Sequence, residues 1–155
     1  MEMYMKIVPM NSEHAKDILE WHYPGFLSFY DMRHYPEDIE EILDKRLYGD
    51  TLFSVIDGRG ELIGELTLTP TGEEIEIGVG LRPDLVGKGL GSELLEKGME
   101  FARSRSIFRR FVIRVWKLNG RAIRLYQKAG FRIEGEYLNQ IEGIPFRFLT
   151  MSRER

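Results

Sequence analysis

The segment Gly87-Lys88-Gly89-Leu90-Gly91 has the residue types and spacing to bind an anion. An alternating strand pattern at 74–81 precedes it, and a helical pattern opens at Ser92. A glycine-rich turn between a strand and a helix directs backbone N–H groups and the positive helix end towards an anion. Glycines at alternate positions also let a ligand lie against the backbone, because no Cβ intervenes. The segment therefore predicts a site for a phosphate-bearing ligand; a flexible connecting loop is the alternative.

This turn departs from the two best-known phosphate-binding patterns. Arg82 stands where a P-loop has its first glycine, and Gly89 follows Lys88 where that motif has Ser or Thr to hold magnesium. The dinucleotide-binding pattern also fails, because Ser92 stands where its third glycine would be. The turn alone therefore specifies neither a nucleoside triphosphate nor a nicotinamide.

The composition limits the chemistry that is available to the chain. The absence of cysteine excludes disulfides, thiolate nucleophiles and Cys-ligated metals. The three histidines lack HExxH-type spacing, so we expect no metal site. A net charge of −3 argues against a surface that coats nucleic acid.

The same composition predicts one soluble globular domain that spans residues 1–155. The chain is 43% hydrophobic and 30% charged, and no apolar run approaches the ~20 residues that span a bilayer. The N-terminal residues lack the basic-then-apolar order of a secretory signal. We therefore expect a cytoplasmic protein without membrane association.

The element order predicts a mixed sheet. Strand patterns occur at 3–8, 51–57, 61–69, 74–81, 109–116, 131–138 and 144–151. Helical patterns begin after Asn11-Ser12, at Pro36, at Ser92 and after Asn119-Gly120, and the second carries its apolar stripe as far as Leu47. The strands on either side of helix 92–104 should be parallel neighbours through a right-handed crossover. The ligand then belongs at the C-terminal edge of those strands, beside the glycine turn.

Two blocks of this sequence resemble the GNAT superfamily of N-acetyltransferases. Residues 79–92, VGLRPDLVGKGLGS, are similar to the acetyl-CoA signature of that family. Residues 119–131, NGRAIRLYQKAGF, are similar to its Asn-x-x-Ala-x-x-Leu-Tyr-x-x-x-Gly-Phe block. One departure is Val86, which stands where the family usually has Gln or Arg to hold the pyrophosphate; Lys88 or Arg82 would supply that charge.

The resemblance implies an α/β (α+β) fold: a mixed, mostly antiparallel, twisted sheet of about seven strands flanked by about four helices. It divides the single domain into acceptor-side helices at about 11–48, an acetyl-CoA core at about 51–131 and C-terminal strands at about 131–151. It also implies direct transfer of an acetyl group from acetyl-CoA to a primary amine of a small molecule or peptide. No metal is implied, and a homodimer is left open.

The resemblance also assigns roles to individual residues. The backbone of Val79, Gly80 and Leu81 would hold the pantetheine arm, and residues Gly87, Lys88, Gly89, Leu90, Gly91 and Ser92 would cradle the pyrophosphate. Asn119 and Lys128 would contact the cofactor, although Asn119 could equally be a helix cap. Tyr126 would protonate the departing thiolate, which an ordinary tyrosine pKa near ~10 suits.

The general base and the acceptor site are less defined. Glu76 is the first choice as base, because it shares a strand face with Gly78 and Gly80; Glu74, His22, His34 or a water chain are alternatives. An acid found in another family variant is replaced here by Arg114. The aromatic segment 21–35 predicts either core packing or an acceptor pocket. The pocket candidates are Trp21, Tyr23, Phe26, Phe29 and Tyr30.

Three other functions stay open from the sequence. A CoA-binding regulatory module would need the glycine turn but neither Tyr126 nor a base. An interaction protein would use exposed rings of segment 21–35 as a partner surface. A nucleotide-binding protein would be stabilised by ATP or NAD rather than by CoA.

Overall fold

The computed structural model describes residues 4–155, which form four α-helices and seven β-strands. The α-helices are α1 (Ser12–Leu19), α2 (Pro36–Ile42), α3 (Leu90–Arg105) and α4 (Gly120–Lys128). The strands are β1 (Lys6–Pro9), β2 (Leu52–Ile56), β3 (Leu62–Thr71), β4 (Glu74–Leu81), β5 (Arg110–Trp116), β6 (Arg132–Ile141) and β7 (Ile144–Glu154). None of the helices in residues 4–155 combines the length and hydropathy that crossing a bilayer requires.

The seven strands form one sheet in the order β1-β2-β3-β4-β5-β7-β6. Strands β4 and β5 are parallel, with Glu74 opposite Arg110, and α3 connects them in sequence. Four other pairs are antiparallel: β1 with β2, β2 with β3, β5 with β7, and β6 with β7. The predicted fold class is therefore confirmed, as is the parallel crossover through α3.

Two helix boundaries differ from the sequence prediction. Helix α2 ends at Ile42, and Leu47 lies in a separate 3₁₀ turn at Lys45–Leu47. The Asp44 carboxylate accepts a hydrogen bond from the Arg46 backbone N–H at 3.1 Å, so it caps the new turn rather than continuing the helix. Helix α3 begins at Leu90, two residues before the predicted start, which places Leu90, Gly91 and Ser92 in its first turn.

The ends of the first two elements also differ. Strand β1 covers Lys6–Pro9 rather than 3–8, and residue 3 lies outside the described residues. Helix α1 begins at Ser12 behind the predicted cap, where the Asn11 side chain accepts from the His14 N–H at 2.8 Å. It ends at Leu19, so Trp21 lies beyond it.

The chain forms two compact units, and each has its own buried residues. The first comprises residues up to Thr67 together with Val79–Leu94, and the second comprises Leu68–Gly78 and Leu95–Arg155. The main cluster of the first unit packs α1 and α2 against the sheet through Met10, Ala15, Ile18, Ile42, Leu52 and Leu62. In the second unit the fully buried side chains include Leu95, Met99, Phe111, Ile113 and Met151.

Gly64 of β3 allows a close approach of two backbones within the first unit. A Cβ at this position would lie 2.8 Å from the Gly80 carbonyl oxygen and 3.3 Å from Leu94 Cδ2. We expect Gly64→Ala to lower the free energy of unfolding by roughly 1–2 kcal/mol, because backbone atoms have to shift. Urea unfolding measures this cost. Gly135→Ala is the matched control, since a Cβ there meets nothing within 4 Å; an equal loss in both variants would contradict the prediction.

Candidate active site

The glycine turn between β4 and α3 has the geometry of an anion cradle. Gly87 and Gly89 have φ values of +83° and +79°, and α3 begins immediately afterwards at Leu90. Left-handed residues in such a turn make successive N–H groups converge, and the first N–H groups of a helix have no intrahelical partner. A Cβ on Gly89 would meet nothing within 4 Å, so the backbone conformation, rather than crowding, favours glycine. This backbone is therefore suited to bind an anion.

Arg82 and Lys88 are the two residues that could supply the positive charge missing at Val86, and their surroundings differ. Arg82 is engaged within the protein: its Nε donates to Asp84 Oδ1 at 2.7 Å and its Nη1 donates to the Leu62 carbonyl at 2.9 Å. Asp84 raises the pKa of Arg82 through this hydrogen bond. Lys88 is exposed in the turn itself. Lys88 is therefore better placed than Arg82 to supply a charge to a bound phosphate.

The end of β4 is in contact with the aromatic segment of the same unit. The Tyr23 hydroxyl donates a hydrogen bond to the Leu81 carbonyl at 2.8 Å. One residue further on, the Arg82 N–H donates to the Ile63 carbonyl at 2.9 Å. The predicted pantetheine-binding residues are Val79, Gly80 and Leu81. The carbonyl of Leu81 is thus already hydrogen-bonded within the protein.

A half-buried glutamate that was not among the sequence-predicted site residues lies beside this strand end. The side chain of Glu65, on β3, covers Gly80: a Cβ on that glycine would lie 3.2 Å from Glu65 Cγ and 3.5 Å from its Oε1. Its Oε2 is shielded from solvent and has no hydrogen-bond partner within residues 4–155. Burial, assisted by the negative charge of Asp38, raises the pKa of Glu65 to about 7. Such a carboxyl group is a typical candidate for a functional site.

Buried Asp31 holds residues of the aromatic segment 21–35 together. Only 2% of Asp31 is exposed, and its carboxylate accepts from the Tyr23 N–H at 2.8 Å and contacts His22 Nδ1 at 3.2 Å. Arg33 Nε lies 3.7 Å from it. Burial, with the charges of Glu65 and Asp31, raises the pKa of Tyr23, so its hydroxyl stays protonated and remains a donor. Segment 21–35 is thereby tied to the end of β4.

The other predicted acceptor residues have varied surroundings. Trp21 packs against the cluster of α1 and α2, whereas Phe26 is 62% exposed. Phe29 makes edge contacts with Tyr30 at 5.3 Å and with Tyr35 at 6.1 Å between ring centroids. The 3₁₀ turn Gly25–Tyr30 carries Phe26, Phe29 and Tyr30, and a second 3₁₀ turn, Met32–His34, precedes Tyr35. Segment 21–35 thus combines core packing at Trp21 with exposed aromatic surface at Phe26.

An open cleft of about 540 Å³ lies elsewhere in the first unit. Its lining includes Trp21 but none of the other four predicted acceptor residues. The remaining lining residues are Glu13, His14, Asp17, Glu20, Gly60, Glu61, Leu62 and Arg82. The lining is acidic, and neither Glu65 nor Gly80 belongs to it.

The second block of the sequence forms helix α4 in the second unit. Asn119 caps this helix, since its side chain accepts from the Ala122 N–H at 3.3 Å. Tyr126 is half-buried, and its ring lies 6.2 Å from that of buried Phe131. The Phe131 N–H donates to the Tyr126 carbonyl at 3.0 Å, and Lys128 is exposed at the end of the helix. The capping role of Asn119 is therefore observed. The hydrogen bond between Phe131 and Tyr126 closes the turn that follows helix α4.

Glu76, the predicted base, is ion-paired in the second unit. Arg114 Nε donates to Glu76 Oε1 at 2.8 Å, and both side chains are partly exposed. The hydrogen bond that Arg114 donates to Glu76 raises the pKa of Arg114, whose guanidinium also lies 5.4 Å from the Tyr137 ring centroid. Arg114, which replaces the acid of a family variant, is thus the direct partner of Glu76.

Comparison with known proteins identifies the family of the chain. Residues 15–131 match the model of the acetyltransferase (GNAT) family. No curated protein is similar enough in sequence to be matched to this chain. Within residues 4–155, no group of three or more His, Asp or Glu side chains is arranged to hold a metal ion.

Solved structures with the same fold include three informative examples. A chimera of a Vibrio cholerae spermidine N-acetyltransferase and hSSAT has a TM-score of 0.79 at 19% identity, covering 97% of this chain and 95% of its own. The V. cholerae enzyme in complex with CoA and spermine has a TM-score of 0.73 at 18% identity, with coverages of 97% and 95%. A putative acetyltransferase from Acinetobacter baylyi ADP1 has a TM-score of 0.74 at 19% identity, with coverages of 100% and 95%.

Proposed function

The chain is an N-acetyltransferase that belongs to the acetyltransferase (GNAT) family, and we propose that it transfers the acetyl group of acetyl-CoA directly to a primary amine. The observation that most supports this proposal is the turn with left-handed Gly87 and Gly89 that opens α3. Its N–H groups suit the pyrophosphate of CoA. Direct transfer also agrees with the absence of cysteine, because no thiolate is available for an acyl-enzyme.

The cofactor is held mainly by backbone in this proposal. Residues 87–92 bind the pyrophosphate, and exposed Lys88 supplies the charge that Val86 does not. Val79 and Gly80 offer backbone groups to the pantetheine arm in the manner of an added strand. Lys128 and Asn119 of α4 contribute further cofactor contacts.

The chemical step needs a proton acceptor for the amine and a proton donor for the thiolate. When bound, acetyl-CoA supplies an electrophilic thioester carbonyl and a thiolate leaving group. The Tyr126 hydroxyl is the proposed donor. Glu76 is the proposed acceptor by its place in the sequence, and it has to part from Arg114 before it takes a proton.

The proposed acceptor is a cationic amine, and polyamines are the first candidates. Support comes from acidic side chains of the first unit: burial raises the pKa values of both Glu65 and Asp38, and the charge of Glu65 in turn helps to raise the pKa of Tyr23. Solved enzymes of the same fold act on spermidine. We also propose that the protein is cytoplasmic and that its activity requires no metal ion.

Two measurements test the proposal together. We expect CoA, but not ATP or NAD, to raise the melting temperature, with about 2.7 kcal/mol of stabilisation at a hundredfold excess over the dissociation constant. We also expect thiol release from acetyl-CoA in the presence of at least one member of an amine panel that includes spermidine, spermine, amino acids and peptides. CoA binding without turnover of any amine would favour a regulatory module, and stabilisation by ATP or NAD alone would contradict the cofactor assignment.

A further inference from the structure

We propose that Glu65 is a catalytic residue, which receives the proton of the acceptor ammonium before the amine attacks the thioester. This inference rests on the proposed function and deepens it, since it places a proton acceptor at the strand end that is proposed to hold the pantetheine arm. Glu65 contacts Gly80 directly, whereas Glu76 stands four residues earlier in the sequence and is paired with Arg114.

The position of Glu65 in the sheet directs its carboxylate to the acceptor side of the first unit. Glu65 pairs with Ser54 of β2, and side chains that are directly opposite in an antiparallel pair share a face. Ser54 on that face accepts or donates a hydrogen bond with His14 of α1 at 2.8 Å. The absent side chain of Gly80 leaves the space that the Glu65 carboxylate occupies. Glu65 therefore lies between the helical layer and the backbone of β4.

The unsatisfied oxygen of Glu65 indicates a missing partner. Oε2 is buried without a hydrogen bond, an arrangement that costs free energy and that native proteins rarely keep without a reason. The Tyr23 phenol does not donate to it, because the Tyr23 hydroxyl already donates to the Leu81 carbonyl. A primary ammonium carries three N–H donors and a positive charge, so it would satisfy the oxygen and offset the buried charge.

The groups around Glu65 favour proton uptake near neutral pH. Asp38 of α2 raises its pKa by repulsion, Tyr23 stays a neutral phenol, and His14 is directed to Ser54. With burial as the main cause, the pKa of Glu65 is about 7. A general base works best when its pKa lies near the operating pH, so this environment suits the role.

The proposed step balances as follows for an acceptor R–NH₃⁺. One proton passes from nitrogen to the Glu65 carboxylate, the nitrogen lone pair forms the C–N bond, and the C–S bond breaks. The thiolate takes a proton from the Tyr126 hydroxyl, and the second N–H proton, released after attack, restores that hydroxyl through solvent. Glu65 then returns its proton to solvent, so that one proton is released per amide formed.

The test compares three glutamate-to-glutamine variants with the wild-type protein. Values of kcat/KM for one accepted amine are measured between pH 5.5 and 9.5 for E65Q, E76Q and E73Q. Glu73 is the matched control, because it is exposed and its ion pair is with exposed Arg109. We expect E65Q to lose about 100-fold or more at pH 8 and to lose the inflection near pH 7 at which the wild-type profile levels off. Its residual rate should rise about tenfold per pH unit with the free-amine fraction, since ordinary amines have pKa values near ~10.4.

Each outcome decides between named alternatives. A wild-type protein that turns over while E65Q keeps both its rate and its inflection near pH 7 would overturn the role of Glu65 alone. Loss of that inflection in E76Q instead would assign proton uptake to Glu76. No turnover by the wild-type protein would overturn the proposed function, and the role of Glu65 with it. The thermal shift with CoA should persist in E65Q, which separates a lost proton acceptor from a damaged cofactor site.

Discussion

Replacing Glu65 with glutamine is expected to stabilise the folded protein by roughly 3 kcal/mol at pH 8. The pKa of this carboxyl group is about 7 in the folded protein, against an ordinary value of 4.5. Between these values the unfolded chain has released the proton that the folded protein retains, so the wild-type free energy of unfolding falls as pH rises from about 4.5 to 7. Each pKa unit corresponds to about 1.36 kcal/mol. The neutral amide avoids this loss.

Urea unfolding at pH 4.5 and pH 8 measures the effect. We expect the advantage of Glu65→Gln over the wild-type protein to be small at pH 4.5 and to reach its full size at pH 8. Glu73→Gln controls for the loss of one negative charge, because Glu73 is exposed. An advantage that is equal at both pH values would show that the carboxyl group is not held in an unfavourable ionised state.

If Glu65→Gln gains stability and loses turnover, the carboxylate of Glu65 serves catalysis rather than stability. Buried charges without partners are usually removed unless function needs them, and active sites commonly sacrifice stability for activity. A structural role for Glu65 would give the opposite result, because its loss would then lower the free energy of unfolding. The two measurements on one variant therefore separate structure from catalysis.

The parts of the fold that local patterns encode were predictable from the sequence. Alternation at 74–81, the glycine turn and the helical pattern after it correspond to β4, a left-handed turn and α3, because each depends on residues that are near in sequence. The capping side chain of Asn119 was foreseen for the same reason. The parallel pairing of β4 and β5 followed from the length of the connection and the handedness of crossovers.

The part of the site that depends on distant contacts could not be predicted. Glu65, Thr67 and Thr69 alternate with apolar residues, a pattern that is typical of a solvent-facing strand surface. Only the structure shows that Glu65 is covered on this face, with Tyr23 reaching Leu81 from 58 residues away in the sequence. The role of Asp31 was missed for the same reason, since its partners define a loop conformation rather than a repeating pattern.

The end of helix α2 shows a local error rather than a distant one. The apolar stripe of Ile39, Ile42, Leu43 and Leu47 continues at helical spacing, and it favoured one helix up to Gly49. Asp44 ends that helix by hydrogen-bonding to the Arg46 backbone and pairing with its guanidinium at 2.8 Å. Leu47 still packs against the core cluster, from a 3₁₀ turn instead. Burial was thus predicted correctly at Ile42 and in part at Leu47, whereas Leu43, the third member of the stripe, is 50% exposed.

Replacing Tyr126 with phenylalanine is expected to lower kcat by about 100-fold with little change in the thermal shift caused by CoA. The variant keeps the ring that packs 6.2 Å from Phe131, so helix α4 should remain folded. It removes the hydroxyl that is proposed to protonate the thiolate, and general acids typically contribute 10²-fold to 10⁴-fold. Tyr4→Phe is the matched control, because Tyr4 is 63% exposed and belongs to neither sequence block. Equal rates for Tyr126→Phe and wild-type protein at every pH would refute the acid role and leave solvent as the proton donor.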